Sequence, residues 1–263
     1  IFVISGLKLK TSDAQAATSG PGRAGFLFGV VTILFLTSLT GFVAVRIPFG
    51  VPEFSYGLAV FRTVPTTLSS GVTLVALAGG NDALALLLTV ATNVLGVATV
   101  PFLLRAVLSG GVADVHIDAV VLLGKLIVTV LVPILLGKAA RERLPGAAGW
   151  ARRRKVPLSL TSSAMLIMVF WLSLSESSED VKRVAPADLL AVRQRAAIAS
   201  AISLSGGLAG LCCYGLKLPP REMKAVVIMG SEKAPPIALT ILSYLAALGN
   251  AGLMAVPCII GQV

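Results

Sequence analysis

Seven long apolar blocks dominate the sequence and leave few folds open to it. The blocks lie at about residues 25–45, 53–77, 83–108, 117–138, 157–175, 188–214 and 222–246. A helix needs about 20 apolar residues to cross a hydrocarbon core roughly 30 Å thick. Only 13% of the residues are charged, against about 25% in an ordinary soluble domain. The blocks therefore predict an all-α integral membrane protein with seven complete crossings.

Both ends of the chain carry apolar residues that are too few to make a span. The chain opens on Ile1 without a methionine and closes a few residues after Pro257. We expect sequence to be missing at both ends. Residues 1–263 are accordingly interpreted as a single membrane domain that is truncated at each end.

The positive charges are distributed unequally between the two sides of this predicted fold. If the basic loop at 138–155 faces inward, thirteen Lys and Arg residues lie on its side and six on the other. Such a bias is what the positive-inside rule predicts for a multi-spanning protein. The net charge of +10 is therefore assigned to contact with lipid head groups and not to nucleic acid.

Three basic residues fall inside predicted spans, where a charge costs at least about 2.5–3.5 kcal/mol. Lys125 lies about two turns inside its block and can extend its ammonium to the outer interface. Arg62 and Lys233 each stand beside an interruption of their block. These two residues are therefore the more informative ones.

The first interruption surrounds Pro65, within the block at 53–77, and continues through Ser, Thr and Gly residues to Gly71. Proline lacks a backbone donor and clashes with the preceding turn, so the span is predicted to consist of two half-helices. Unwound backbone at membrane depth lines a cavity or is buried in protein, and its carbonyls can bind a cation. A simple proline kink held by hydroxyl groups is the alternative.

The second interruption lies within the block at 222–246. There Ser231, Glu232 and Lys233 precede Pro235 and Pro236. Two interrupted spans in corresponding positions are the sequence sign of a transporter built from two repeats.

The residues after each break also echo one another. Gly80 and Asn81 begin 15 residues after Pro65, and Gly249 and Asn250 begin 14 residues after Pro235. Five predicted spans separate the two breaks when the second is counted, and an odd offset reverses the direction of the second copy. The pattern predicts an inverted repeat with its site between the breaks.

Residues 65–104 carry a family resemblance as well. The Pro-Thr-Thr-Leu-Ser-Ser-Gly run, the Leu-Ala-Gly-Gly-Asn run and the segment from Thr89 to Leu104 closely resemble the bile acid:sodium symporter family. Within it the chain is most similar to the plastid sodium/metabolite cotransporters, and less so to the sodium/bile acid cotransporter 7 of animals. The resemblance implies ten helices, the first absent here and the last cut, with two broken helices that cross. It also implies the chloroplast envelope as location, with the plasma membrane as the alternative.

The resemblance implies a sodium-like site at the two breaks. The candidate ion ligands are Ser69, Ser70, Thr89, Asn93, Ser231 and Glu232. Three positions depart from the family pattern, because Gly71 replaces a crossover Asn, Ala85 a hydroxyl residue, and Met229 an acidic residue.

Lys233 suggests a second way to place a positive charge at the breaks. Its ammonium could replace a bound sodium, leaving transport independent of sodium or coupled to protons, with Glu232 as its nearest charge partner. Together with Arg62 and the N-termini of the half-helices, it would also suit an organic anion.

These observations predict a secondary active transporter that moves a small organic anion or a bile-acid-like metabolite across a bilayer. A regulatory membrane protein that keeps the fold without transport is the alternative. No cofactor is expected beyond sodium as the coupling ion, and no enzymatic activity, because the sequence identifies no base near Ser69.

Overall fold

The structure, a computed structural model, describes most of the chain. It covers residues 2–8, 22–47, 49, 51–67, 70–109, 118–176, 178, 187, 190, 215, 217–245 and 250–260. This part is 86% helical and contains no strand, which confirms the predicted all-α class. The predicted span at 188–214 falls almost entirely outside these residues.

Eleven helices are described here by residue range. They are α1 Phe2–Lys8, α2 Gly22–Ala44, α3 Pro52–Thr63, α4 Ser70–Leu77, α5 Asp82–Ser109, α6 Ala119–Arg143, α7 Ala147–Arg153, α8 Lys155–Glu176, α9 Pro220–Ser231, α10 Pro235–Tyr244 and α11 Ala251–Ile260. Both α2 and α6 contain a π-helical turn, at Thr32–Leu36 and Ile127–Leu131.

Four stretches among the described residues are long and apolar enough to cross a membrane. They are α2, α5, α6 and the pair α9–α10 taken as one interrupted segment. Large apolar side chains such as Leu77 and Trp171 are 80% and 70% exposed. Such exposure is expected where side chains face lipid, so the protein is a multi-pass membrane protein.

The α5 helix lies at the centre of the described part. Its buried face, with Leu104 and Leu108, belongs to a cluster that also includes Leu58 of α3 and Ile241 of α10. Nearer its N-terminus, α5 joins a second cluster in which Ile33 of α2 and Met229 of α9 are buried. Both interrupted spans therefore pack against α5, which positions their breaks.

The two echoed asparagines have the same role. Asn81 Oδ1 accepts a hydrogen bond from the Leu84 amide at 3.1 Å, and Asn250 Oδ1 accepts one from the Gly252 amide at 3.0 Å. Each side chain thereby caps the helix that follows a broken span. Helix capping therefore explains why an asparagine follows each of the two breaks.

Lys125 is held by an aromatic ring. Its Nζ lies 4.7 Å from the centroid of the Tyr244 ring, and the contact joins α6 to the end of α10. A cation–π interaction of this kind contributes on the order of 0.5–1 kcal/mol at an exposed site.

Candidate functional site

The first break forms where sequence reasoning placed it. Helix α3 ends at Thr63, and Val64 is extended with φ −70° and ψ 153°. A residue before proline is pushed out of the helical region, and Pro65 itself cannot donate to the preceding turn. Helix α4 begins at Ser70, while Ser69 lies outside the described residues.

The second break has the same construction. Helix α9 ends at Ser231, Glu232 is extended with φ −78° and ψ 133°, and α10 begins at Pro235. Proline is favoured at the first helical position because its missing N–H has no partner there in any case. The prolines therefore end one half-helix and begin another.

The two breaks contact each other through their backbones. The Ala234 amide donates to the Pro65 carbonyl at 2.9 Å. The neighbouring Val64 carbonyl accepts from Lys233 Nζ at 2.9 Å, and the Thr66 carbonyl accepts from Asn93 Nδ2 at 3.0 Å. Three successive carbonyls freed by the break are thus satisfied by three different donors, as burial requires.

A cluster of side-chain oxygens lies where the breaks cross. Ser70 Oγ donates to Glu232 Oε2 at 3.3 Å, and Thr67 Oγ1 lies 3.0 Å from Ser70 Oγ. Glu232 is partly buried and Ser70 is exposed. A carboxylate with two hydroxyls, open to solvent on one side, is a suitable ligand set for a hard cation.

Two other predicted ligands, Thr89 and Ser231, form hydrogen bonds within their own helices. The Thr89 hydroxyl donates to the Ala85 carbonyl at 2.9 Å, and the Ser231 hydroxyl donates to the Ile228 carbonyl at 2.8 Å. Asn93 reaches across to the first break, as described above.

Two oxygens beside the first break are buried without a hydrogen-bond partner among the described residues. They are Thr66 Oγ1 and Asn93 Oδ1, on side chains that are 0% and 2% exposed. Buried polar atoms usually have partners, so two neighbouring exceptions indicate a place for a water or an ion.

Two of the three departures from the family pattern, Gly71 and Met229, lie against each other. A Cβ added to Gly71 would lie 2.9 Å from Met229 Sδ and 3.0 Å from Thr67 Cγ2, and Met229 is fully buried. The thioether therefore fills the space next to Gly71. Glu232, three residues after Met229 and one of the predicted ion ligands, places a carboxylate at the crossing through its contact with Ser70.

Lys233 is almost fully buried, at 1% exposure. Its Nζ donates to Thr37 Oγ1 at 2.6 Å, to the Val64 carbonyl at 2.9 Å and to the Ile33 carbonyl at 3.4 Å. Glu232 was the expected partner, but the bonds go to uncharged oxygens because the extended backbone turns adjacent side chains apart. Sequence reasoning missed Thr37, which looks like any other hydroxyl residue of its span.

Arg62 lies in the last turn of α3 and is 2% exposed. It lies two residues before Val64, whose carbonyl accepts from Lys233 Nζ. Two basic groups and one carboxylate thus lie at or beside the crossing.

Two broken helices that cross at their unwound centres, inside an apolar helical protein, define a membrane transporter fold. The chain belongs to the SBF-like CPA transporter family, which it matches over residues 1–263. This confirms the resemblance seen in the sequence, and the family is one of transporters rather than enzymes.

Relatives in plants and animals support the same family. The probable chloroplastic sodium/metabolite cotransporter BASS4 of Oryza sativa is 38% identical over 273 residues, covering 100% of this chain and 64% of the relative. Its Arabidopsis thaliana counterpart is 36% identical, covering 98% and 60%. The sodium/bile acid cotransporter 7 of Xenopus tropicalis is 29% identical, covering 65% and 48%. The chain thus spans less than two thirds of the length of these relatives.

Proposed function

We propose that the chain forms part of a secondary active carrier that moves a small organic anion past the crossing of the two breaks, driven by a bound cation. The contact between Ser70 of one break and Glu232 of the other carries this proposal. A cation at that contact would bind to both interrupted spans at once. Its binding and release would therefore change how strongly the two spans are held together.

Sodium is the proposed coupling ion. The oxygens of Thr67, Ser70 and Glu232 supply a carboxylate and two hydroxyls, and Ser69 belongs to the same proposed site. The buried oxygens of Thr66 and Asn93 offer further ligands beside the first break. Relatives named as sodium cotransporters support the choice of ion.

Arg62 is the residue whose positive charge we propose attracts the anion. It lies one turn before the first break, and helices α4 and α10 both begin at the crossing. Helix N-termini carry partial positive charge, which favours a carboxylate or sulfonate group. The chloroplastic relatives make a plant metabolite, carried across the chloroplast envelope, the first substrate class to test. An inverted repeat is part of this proposal.

Uptake of labelled 2-keto acids and sterol acids into proteoliposomes tests the function in the full-length protein. A sodium gradient, a proton gradient and no gradient are compared. We expect saturable uptake with the sodium gradient, and Glu232→Gln to raise the half-maximal sodium concentration by about tenfold or more, which corresponds to roughly 1.4 kcal/mol of cation binding.

Ser243→Ala is the matched control for Ser70→Ala. Ser243 is also exposed, but its hydroxyl donates to the Thr240 carbonyl at 2.8 Å within α10. We expect Ser70→Ala to weaken the sodium dependence and Ser243→Ala to leave it unchanged. Equal effects of the two variants would contradict the assignment of the cation site.

A regulatory protein without transport is the second candidate. The contact between Met229 and Gly71 favours it, because an apolar thioether fills space at the crossing. A folded protein that takes up no anion under any gradient would support this second candidate.

A further inference from the structure

We propose that the oxygen cage around Lys233 is a monovalent-cation site whose permanent occupant is the protein's own ammonium group. The cage consists of Thr37 Oγ1 and the carbonyl oxygens of Ile33 and Val64. It is distinct from the cluster formed by Thr67, Ser70 and Glu232. Replacing Lys233 with a small residue would therefore open a site for a free cation.

Lys233 Nζ has as many oxygen partners as an ammonium group has donors. An ammonium group has three N–H donors and no acceptor. Three oxygens lie within hydrogen-bonding distance of Nζ, at 2.6, 2.9 and 3.4 Å. All three are uncharged and come from two different parts of the fold, so the arrangement resembles cation coordination more than an ion pair.

The π-helical turn of α2 supplies one of these oxygens. The Thr37 amide donates to the Thr32 carbonyl, five residues back, in place of the Ile33 carbonyl that an α-helix would use. The Ile33 carbonyl instead accepts from the Thr37 hydroxyl at 2.6 Å and from Lys233. The π-turn thereby releases one backbone oxygen for the cage, and such turns are frequent at functional sites.

The third oxygen is released by the first break. Val64 is extended and lies after the last residue of α3, so its carbonyl is outside the regular hydrogen-bond pattern of that helix. The π-helical turn of α2 and the first break thus each place a backbone carbonyl next to Lys233 Nζ. Free carbonyls of unwound membrane helices are the groups that coordinate sodium in transporters.

Burial excludes the ordinary explanations for an intramembrane lysine. At 1% exposure the side chain does not extend to an interface. Its bonding partners are neutral, so it does not complete a buried ion pair. An apolar residue would serve packing alone at lower desolvation cost. The three oxygens around Nζ account for a lysine at this buried position.

The cage fastens α2 and the first break to the second break. A tethered cation cannot leave the protein as a free ion does. If the carrier function proposed above is correct, the protein moves one fewer free cation with each substrate than a carrier with an open cage would.

Thermal unfolding of the purified full-length Lys233→Ala variant in detergent tests the cage without any transport. The salt is choline chloride, replaced stepwise by ammonium, methylammonium, sodium or potassium chloride at constant ionic strength. We expect the variant to unfold below the wild type in choline. We expect at least one small cation to raise its Tm saturably by about 2–4 °C or more beyond any rise that the same cation gives the wild type, because the separate cluster of Thr67, Ser70 and Glu232 is present in both proteins.

Two further variants make the result specific. Lys125→Ala removes another lysine from a membrane-spanning helix, one that contacts Tyr244, and should respond to cations as the wild type does. Thr37→Val removes the oxygen closest to Nζ, and adding it to Lys233→Ala should abolish the response above that of the wild type. Lys233→Ser receives the same titration in case Lys233→Ala cannot be purified.

The proposal is overturned if neither small variant at position 233 responds to any cation more than the wild type does, or if Lys125→Ala shows the same additional response. Because the readout is stability, a failure of anion uptake leaves this result standing. Conversely, if the protein transports anions but its variants at position 233 show no additional cation response, the proposed function stands and the cage proposal fails.

Discussion

Asn93→Leu should loosen the attachment of the first break to α5. The Asn93 amide donates to the Thr66 carbonyl at 3.0 Å and to the Thr89 carbonyl of its own helix at 2.7 Å. Leucine keeps the approximate size of the side chain but removes both donors. The Thr66 carbonyl would then be buried in the break without a partner.

The magnitude follows from that one lost contact between elements. Side-chain hydrogen bonds between membrane helices contribute about 0.6 kcal/mol on average and about 1.7 kcal/mol at most. An unsatisfied buried acceptor adds a desolvation cost within the range of about 1–3 kcal/mol. We therefore expect a loss of about 1.6–3.6 kcal/mol, which lowers the Tm by about 3–14 °C in a chain of this size.

Thr92→Val is the matched control for thermal unfolding in detergent. Thr92 is the preceding residue of α5 and is equally buried, but its hydroxyl donates to the Leu88 carbonyl of the same helix at 2.7 Å. We expect this variant to be less destabilising than Asn93→Leu, because it removes a bond within one helix and leaves the Thr66 carbonyl paired. If Asn93→Leu were no more destabilising than Thr92→Val, the reasoning about the freed carbonyls would be refuted.

Other substitutions test the packing around the crossing. Gly96→Leu should destabilise the protein by at least about 1–3 kcal/mol, because a Cβ there already lies 3.0 Å from Pro65 Cγ; a Tm equal to the wild type would contradict this. Gly71→Ala should lower the free energy of unfolding less in a Met229→Ala background than in the wild type, since the added Cβ lies 2.9 Å from Met229 Sδ. A double-mutant cycle without coupling energy would argue against that contact. In proteoliposomes, Lys233→Ala should make the sodium dependence of uptake steeper, with a higher Hill coefficient than the wild type, because a second cation site opens; an unchanged coefficient would count against a second free site.

The sequence by itself determined the membrane class and the positions of the breaks. The length of an apolar block and the missing donor of a proline act over a few residues, so they can be read without knowing the rest of the fold. Pro65 and Pro235 interrupt their spans as expected, and Asn81 and Asn250 cap the helices that follow. The predicted region at 188–214 and the predicted ligand Ser69 fall outside the described residues.

Only the tertiary structure decided which groups the breaks bring together. Ser70 meets Glu232 across 162 residues, and Lys233 meets Val64 and Thr37 across 169 and 196 residues. Such pairs depend on how α2, α5 and the broken spans pack, and no local pattern encodes that. Helix breaks create free carbonyls by local chemistry, but the donor that each carbonyl receives is chosen by packing across the whole domain.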